Sequence, residues 1–518
     1  MEGSADSGHL RHLIGATLVG LIALMLSGCF PEGKSSAGKR PGPTAAADRA
    51  ALPYSGVNRS AKSAPSFDQM SNASGAAFSD PSRPPVQEAA IFATAATSYS
   101  TDDGSPPPIP TIEDIPEVPS NVALAHFFSA LAKLEKGGAR TVTILQLGDD
   151  HIAADRFSGG LREQFQSRFG DAGRGMLTPG LYLARGVKFD RGGEWQAALS
   201  TGNVPGPYGI TGSKLSSGST SAWLRLTATD QPFTWCELTF DSGPENGSAL
   251  ISLDGDMKQA SMRGTAQSWR NIRLEHTARE LLIRPKGDGL VTLHSISIGT
   301  DKPGVRFVNL GVPGATALTP LSWDRNYMQA DMKRLAPDLI ILAYGTDESF
   351  NDDLDLSGYE TKASAAIARI RQSAPQASLL VVGPPDVSIM PKFASGSSRA
   401  NDVCRALSAA ERSNYARRLR KRDPRLARWQ PPLNLDAVRA TLRRLAAAHN
   451  ALFWDWSKLM GGPCGIHAWV HSKPPLAAND HIHLTEEGSK RSARLLFREL
   501  MNAYDAVNRT AAAAATAK

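Results

Sequence analysis

The chain has 518 residues, 41% of them hydrophobic, with 46 Gly and 34 Pro. That is ample for one large domain or two, together with disordered sequence. A formal charge of +7 is modest for this length; it permits contact with anionic polymers but gives no argument for it, and no nucleic-acid partner is expected.

Residues 12 to 28 form a short apolar run after Arg11 that ends Leu26-Ser27-Gly28-Cys29. It is shorter than the roughly 20 apolar residues a membrane-spanning helix needs, and it ends in small residues as a cleaved signal does. The segment 1–29 resembles a bacterial lipoprotein signal with Cys29 as the lipidated residue. An ordinary secretory signal with an incidental Cys is the alternative, and both place the mature chain outside the cytoplasm. Cys236, Cys404 and Cys464 then remain. In an oxidising compartment two can pair, and Cys404 with Cys464 is a candidate because both lie in the C-terminal half. The odd count and the lack of metal-ligand spacing argue against a zinc site, and no cofactor is expected.

Residues 30 to about 118 are rich in Pro, Ser, Ala and Gly without a sustained apolar period, which reads as a disordered tether. Order begins near Asn121 with a helix over Val122–Lys136, where Leu124, Phe127, Phe128 and Leu131 recur at helical spacing. Thr141–Leu147 reads as a buried parallel strand. The chain then turns through Gly148 and enters an amphipathic helix over Asp155–Phe169.

From about 176 to 300 the pattern changes to short alternating runs: Ser221–Thr227, Phe233–Phe240, Ala249–Leu253 and Leu281–Arg284. Gly, Pro, Asn and Asp punctuate them, as in a β-sandwich. A structureless loop of that length is implausible inside a compact domain, so the stretch reads as an inserted all-β module.

The earlier rhythm resumes with the strand Arg306–Gly311 and a helical stretch to about Leu335. The strand Asp338–Tyr344, the helix Tyr359–Gln372 and the strand Ala377–Val382 follow. A helix over Leu435–His449, the strand Ala451–Trp456 and a last helix over Glu486–Tyr504 complete it. Strands alternating with helices predict an α/β fold with a doubly wound parallel sheet, built from 119–175 and 301–506. The tail from 507, Ala511–Lys518 above all, reads as frayed. The basic run Arg417–Arg422, with Arg425 and Arg428 beyond, reads as a solvated helix face; contact with anionic glycan or headgroups is the alternative.

Polar side chains crowd at the carboxyl end of the first strand, in Gly148-Asp149-Asp150-His151. Open α/β sheets place their chemistry at such ends. The stretch resembles block I of the SGNH/GDSL hydrolases, with Asp150 where that family has Ser. Asn309-Leu-Gly-Val-Pro-Gly-Ala-Thr316 resembles block II, with Gly314 at the glycine whose N–H faces the oxyanion. Tyr344-Gly-Thr-Asp-Glu348 resembles block III, with Asp347 where the family has Asn. Gly383-Pro-Pro-Asp386 is similar to the turn after the next strand, and Asp480-His-Ile-His-Leu-Thr485 to block V, with Asp480 and His483 as the triad pair. Within the superfamily the nearest resemblance is to bacterial polysaccharide O-acetylesterases of the peptidoglycan type. It rests on Gly-Asp-x-His with a following Ala-Asp, a β module between blocks I and II, and the run Trp454–Gly462 before block V.

The resemblance implies the SGNH, flavodoxin-like fold and an acetyl-ester substrate on an envelope polysaccharide such as peptidoglycan. It makes His483 the base, Asp480 its orienter and Gly314 an oxyanion donor. Asp150 and Asp347 depart from it. A carboxylate at 150 leads to an anhydride-type intermediate, a poor route. An ionised Asp347 opposes an oxyanion and can donate only if its pKa is strongly raised.

His151 reads as a backbone hydrogen-bonder, Asp149 as a helix cap or brace of the turn, and His481 as a surface residue. Three readings follow. The first is a lipid-anchored carbohydrate esterase or acetyltransferase of altered mechanism, facing the periplasm. The second is a pseudoenzyme that grips a glycan or a membrane acyltransferase. The third, ranked last, is a divalent-cation site of Asp149, Asp150, Asp347 and His483. Asp150 is further expected within hydrogen-bonding reach of the His483 ring, holding it with Asp480 as an imidazolium.

Overall fold

A computed structural model describes residues 118–182, 184–396 and 401–516. The segments read from the sequence as a signal and a tether, with Cys29, lie outside them, up to residue 117. Among the described residues no helix is long and apolar enough to cross a membrane.

Five parallel strands form the central sheet. In space their order is Gly304–Gly311, Thr141–Gly148, Leu339–Ala343, Ser378–Gly383 and Leu452–Asp455. This is the doubly wound order 2-1-3-4-5, in which the direction of winding reverses beside the first strand. Four of the five are rich in β-branched or leucine side chains buried on both faces, as a parallel sheet covered by helices requires. The register fixes where they end: Gly148 lies opposite Gly311 on one side and Ala343 on the other, and Gly383 lies opposite Asp455. The loops that leave the carboxyl edge therefore start from nearly one level.

On one face the helix Phe157–Phe169 buries Phe157, Leu161, Phe165 and Phe169, four residues apart, and stops at Gly170 with φ +90°. Phe165 meets Phe127 and Phe497 edge-on, and Phe169 meets Tyr504. Each buried ring contributes roughly 1.5–3 kcal/mol. The other face is covered by Arg325–Leu335, Leu356–Ser373 and Leu435–Ala448. The last helix, expected to about Tyr504, continues to Thr516, into the stretch expected to fray.

Two antiparallel sheets stand between the first and second strands of the central sheet. One has the order Ser268–Ala278, Phe233–Ser242, Val291–Gly299, Ser213–Ser217, Gln196–Leu199, with Gly175–Leu177 pairing to Val291–Gly299. The other runs Val187–Gly192, Trp223–Ala228, Glu280–Pro285, Ser248–Leu253, Asp256–Ser261. They share one apolar core that includes Leu226, Leu238, Phe240, Ile251, Ile283 and Ile296, as a face-to-face sandwich does. Cys236 is buried there and unpaired, its thiol pushed up to about 12 by burial. Cys404 and Cys464 form a disulfide.

The basic run is a short helix, Tyr415–Arg420, with Arg417 and Arg420 exposed. Arg428 departs from the expected solvated face: it is buried and paired with both carboxylate oxygens of Glu411 at 3.2 Å.

Candidate active site

The first strand ends on a glycine for a steric reason. A Cβ on Gly148 would collide with the Ile152 side chain and the Ala343 carbonyl. Asp149 follows and caps the turn Asp150–Ala153, its Oδ1 accepting from the His151 N–H at 3.0 Å. Asp150 opens that turn and aims Oδ2 at Gly314, whose N–H donates to it at 2.9 Å. Gly314 has φ +71°, in the left-handed region that favours glycine.

Block V meets block I from the C-terminal side, through His151. Asp480 Oδ1 accepts from the N–H groups of Ile482 and His483 at 2.9 and 3.0 Å, and its Oδ2 lies 2.7 Å from His483 Nδ1. Burial works to raise the Asp480 carboxyl, but the His483 ring and the two N–H donors outweigh it and hold the group down at about 2. Asp480 is thus an anion, and it keeps the imidazole in one orientation.

His151 stands beside His483, ring centroids 5.8 Å apart. Its Nε2 donates to the Ile482 carbonyl at 3.0 Å, and its Nδ1 faces Asp149 Oδ1 at 3.4 Å. Burial opposes charge on this ring. Asp149, the Ile482 carbonyl and Asp150 prevail and raise it to about 9. His151 therefore does more than bond backbone: it is a buried cation bridging blocks I and V.

Asp347 sits in the turn Thr346–Ser349 that leaves the third strand. Burial first, then the charges of Asp149, Asp150 and Glu348, push its carboxyl to about 8. At neutral pH it is mostly the neutral acid, able to donate an O–H.

The expected bond between Asp150 and His483 is not among the hydrogen bonds of the described residues. The nearby fixed N–H of Gly314 takes the carboxylate instead, and the cation set against a block I carboxylate is His151. The four residues considered for a cation do not form one donor set among the described residues, and Asp149 and Asp150 each turn one carboxylate oxygen to a backbone N–H. His481, expected at the surface, is 3% exposed and stacks on Trp429 with ring centroids 3.6 Å apart. Its neighbours come from segments that sequence order does not bring together.

Sequence reasoning missed three buried carboxylates. Asp155 is fully buried and binds Arg162 through both oxygens at 3.1 Å, Arg174 at 3.1 Å, the Arg185 N–H at 2.7 Å and the Asn309 amide at 3.1 Å. It joins the exit of block I to block II and to the edge of the β module. Glu348 accepts from the Ala317 N–H at 2.7 Å and the Tyr359 hydroxyl at 3.1 Å, and burial pushes it to about 7. Asp386 accepts from the Ile466 N–H at 3.0 Å and is likewise raised to about 7 by burial. For Asp155 the one available signal was the Ala-Asp that follows Gly-Asp-x-His.

Residues 299–491 match the GDSL-like Lipase/Acylhydrolase family, so the chain carries a domain of that kind. The matched stretch begins at the last residue of the β module's final strand, leaving Asp149, Asp150 and His151 outside it. Among solved structures, that of a peptidoglycan O-acetylesterase is similar at 24% identity and a TM-score of 0.60, covering 76% of this chain and 99% of that one. This is a likeness of fold. The acetyl xylan esterase AlAXEase is matched at 13% identity over 38% of this chain and 81% of that one, TM-score 0.24. A family two carbohydrate esterase from Cellvibrio japonicus is matched at 14% identity over 60% and 98%, TM-score 0.22. No curated protein matches the chain in sequence.

Proposed function

We propose that this is a cell-envelope lipoprotein whose SGNH domain binds an O-acetylated polysaccharide, peptidoglycan or a similar envelope glycan, without serine-type ester hydrolysis. The observation that carries this reading is the 2.9 Å bond from the Gly314 N–H to Asp150. The position that would attack an ester is a carboxylate, and that carboxylate already occupies the donor an oxyanion would need. The intact Asp480–His483 pair, 2.7 Å apart, favours a second reading in which His483 activates water directly.

One experiment separates them. Full-length protein is mixed with O-acetylated peptidoglycan and with the same material after chemical de-O-acetylation. Selective retention by the acetylated form with no acetate release above the blank is expected. Release of acetate by the parent that His483→Ala abolishes would replace this reading with the second, and equal retention by both materials would remove the ester from the recognition.

Anchoring is proposed at Cys29, on the apolar run that ends Leu26-Ser27-Gly28-Cys29. Metabolic labelling with radioactive palmitate is expected to mark the parent and not Cys29→Ala; equal labelling of both refutes the anchor.

A further inference from the structure

About the helix Gly465–Val470 lies a cluster that the chemistry above leaves unused. His467 is on that helix, and His471 caps its C-terminal end. The two are four residues apart, a His-x3-His spacing that puts both rings on one helical face. His481 comes from block V, between Asp480 and His483. One ring nitrogen from each of the three lies within 4.8 Å of the others. His467 Nδ1 and His481 Nε2 are 2.9 Å apart, and Asp402 Oδ2 is 3.7 Å from His471 Nε2.

Several independent features converge on this arrangement. His481 is a non-glycine residue at φ +59°, a conformation that persists only where its surroundings enforce it. Its N–H is bonded to the Ala478 carbonyl, its carbonyl to the Ser388 N–H, and its ring is stacked on Trp429. His481 Nδ1 lies 3.0 Å from the Asn479 carbonyl oxygen. Only an N–H satisfies a carbonyl, so Nδ1 carries the proton and the lone pair of Nε2 faces His467 and His471. This is how metal-bound histidines are oriented by their outer partners. The Cys404–Cys464 disulfide ties the segment bearing Asp402 to the residue that precedes the helix, and Asp386 accepts from the Ile466 N–H, so the donor-bearing segments are fixed to one another.

We infer that His467, His471 and His481 bind one divalent zinc-class ion, with the Asp402 carboxylate within reach of the fourth position. Tetrahedral zinc with bonds of about 2.1 Å sets its donors about 3.4 Å apart, so His467 and His481 open slightly from 2.9 Å while rotation of the exposed His471 ring brings in the third donor. The bond between His467 and His481 is exchanged for the ion: the proton on His467 Nδ1 leaves to solvent or moves to Nε2, and both lone pairs turn to the metal. Because His481 lies between Asp480 and His483, the ion would brace the segment that presents the triad pair. It is distinct from the carboxylate grouping at Asp150.

Calorimetric titration of untagged full-length protein with Zn2+, and with Mg2+ as control, tests this. One Zn2+ per chain is expected, with no saturable Mg2+ binding, since imidazole donors favour borderline metals. His471→Ala and His467→Ala should each weaken Zn2+ binding by at least about 10-fold. Zinc should raise the Tm of the parent and leave that of His471→Ala unchanged. The Tm values without zinc should coincide, because His471 is half exposed; that comparison separates a lost ligand from a damaged fold. Absence of a saturable zinc site, or equal affinity in the parent and both variants, overturns the inference.

Discussion

Asp150→Ser combined with Asp347→Asn is expected to raise acetate release from an O-acetylated glycan by on the order of 10²-fold over the parent. Position 150 opens a turn whose carboxylate is already aimed at the Gly314 N–H. A serine there frees that N–H for an oxyanion and supplies a hydroxyl one residue before His151, whose ring stands 5.8 Å from that of His483, the ring Asp480 holds at 2.7 Å. Asn at 347 adds a neutral amide donor where the parent has a titratable acid.

The single variant Asp150→Ser should show how Asp347 behaves. Burial is the leading reason that its carboxyl lies at about 8, and burial survives the loss of Asp150. A neutral Asp347 donates and an ionised one repels, so the activity of Asp150→Ser should fall, relative to the double variant, as pH rises from 6 to 9. The ratio of the two variants cancels whatever pH dependence they share. A ratio independent of pH would show that Asp347 does not face the reacting oxygen. Failure of the double variant to exceed the parent would show that the site has lost more than these two side chains.

Removing the buried Asp155 carboxylate should be the most damaging single change to the fold. Asp155→Ala strands Arg162 and Arg174, both buried, and releases the Arg185 N–H and the Asn309 amide. Breaking a buried ionic network by deleting one partner costs about 3–5 kcal/mol, read as a lower denaturant midpoint. Burial acts to raise the Asp155 carboxyl, but Arg174 and Arg162 hold it below the usual carboxylate range. Its stabilisation is therefore complete above a pH of about 4 and is lost as the pH falls further. The gap between parent and variant should narrow in acid. A loss under about 1 kcal/mol at neutral pH would mean that the arginines find other partners.

The contrast between Asp150 and Asp155 shows what the sequence reveals and what it conceals. Asp150, Gly314, Asp347 and the Asp480–His483 pair each follow a recognisable strand or precede a helix. A parallel sheet whose strands end at one level carries such residues toward a common edge, and there Gly314 bonds Asp150 and Asp480 bonds His483. Asp155 is five residues farther along, but its partners come from four separate places, the most distant being Asn309. Nothing local to any of them records that. His481 was misread for the same reason, since Trp429 and His467 cover it from elsewhere.

In the β module, runs such as Phe233–Phe240 announced themselves through apolar alternation. The strands Asp256–Ser261 and Ser268–Ala278 did not. Both are largely exposed and carry charged side chains, so pairing with a neighbour rather than burial defines them.

The sandwich also bears on how the chain acquires its covalent cross-link. Thiol–disulfide exchange proceeds through the thiolate, and burial lifts the Cys236 thiol to about 12. The apolar core around Cys236 is complete by Ile298, well before Cys404 in the chain. Withdrawn into that core and kept protonated, Cys236 is a poor partner for exchange with the Cys404–Cys464 bridge, so the three thiols of the described residues favour this single connectivity.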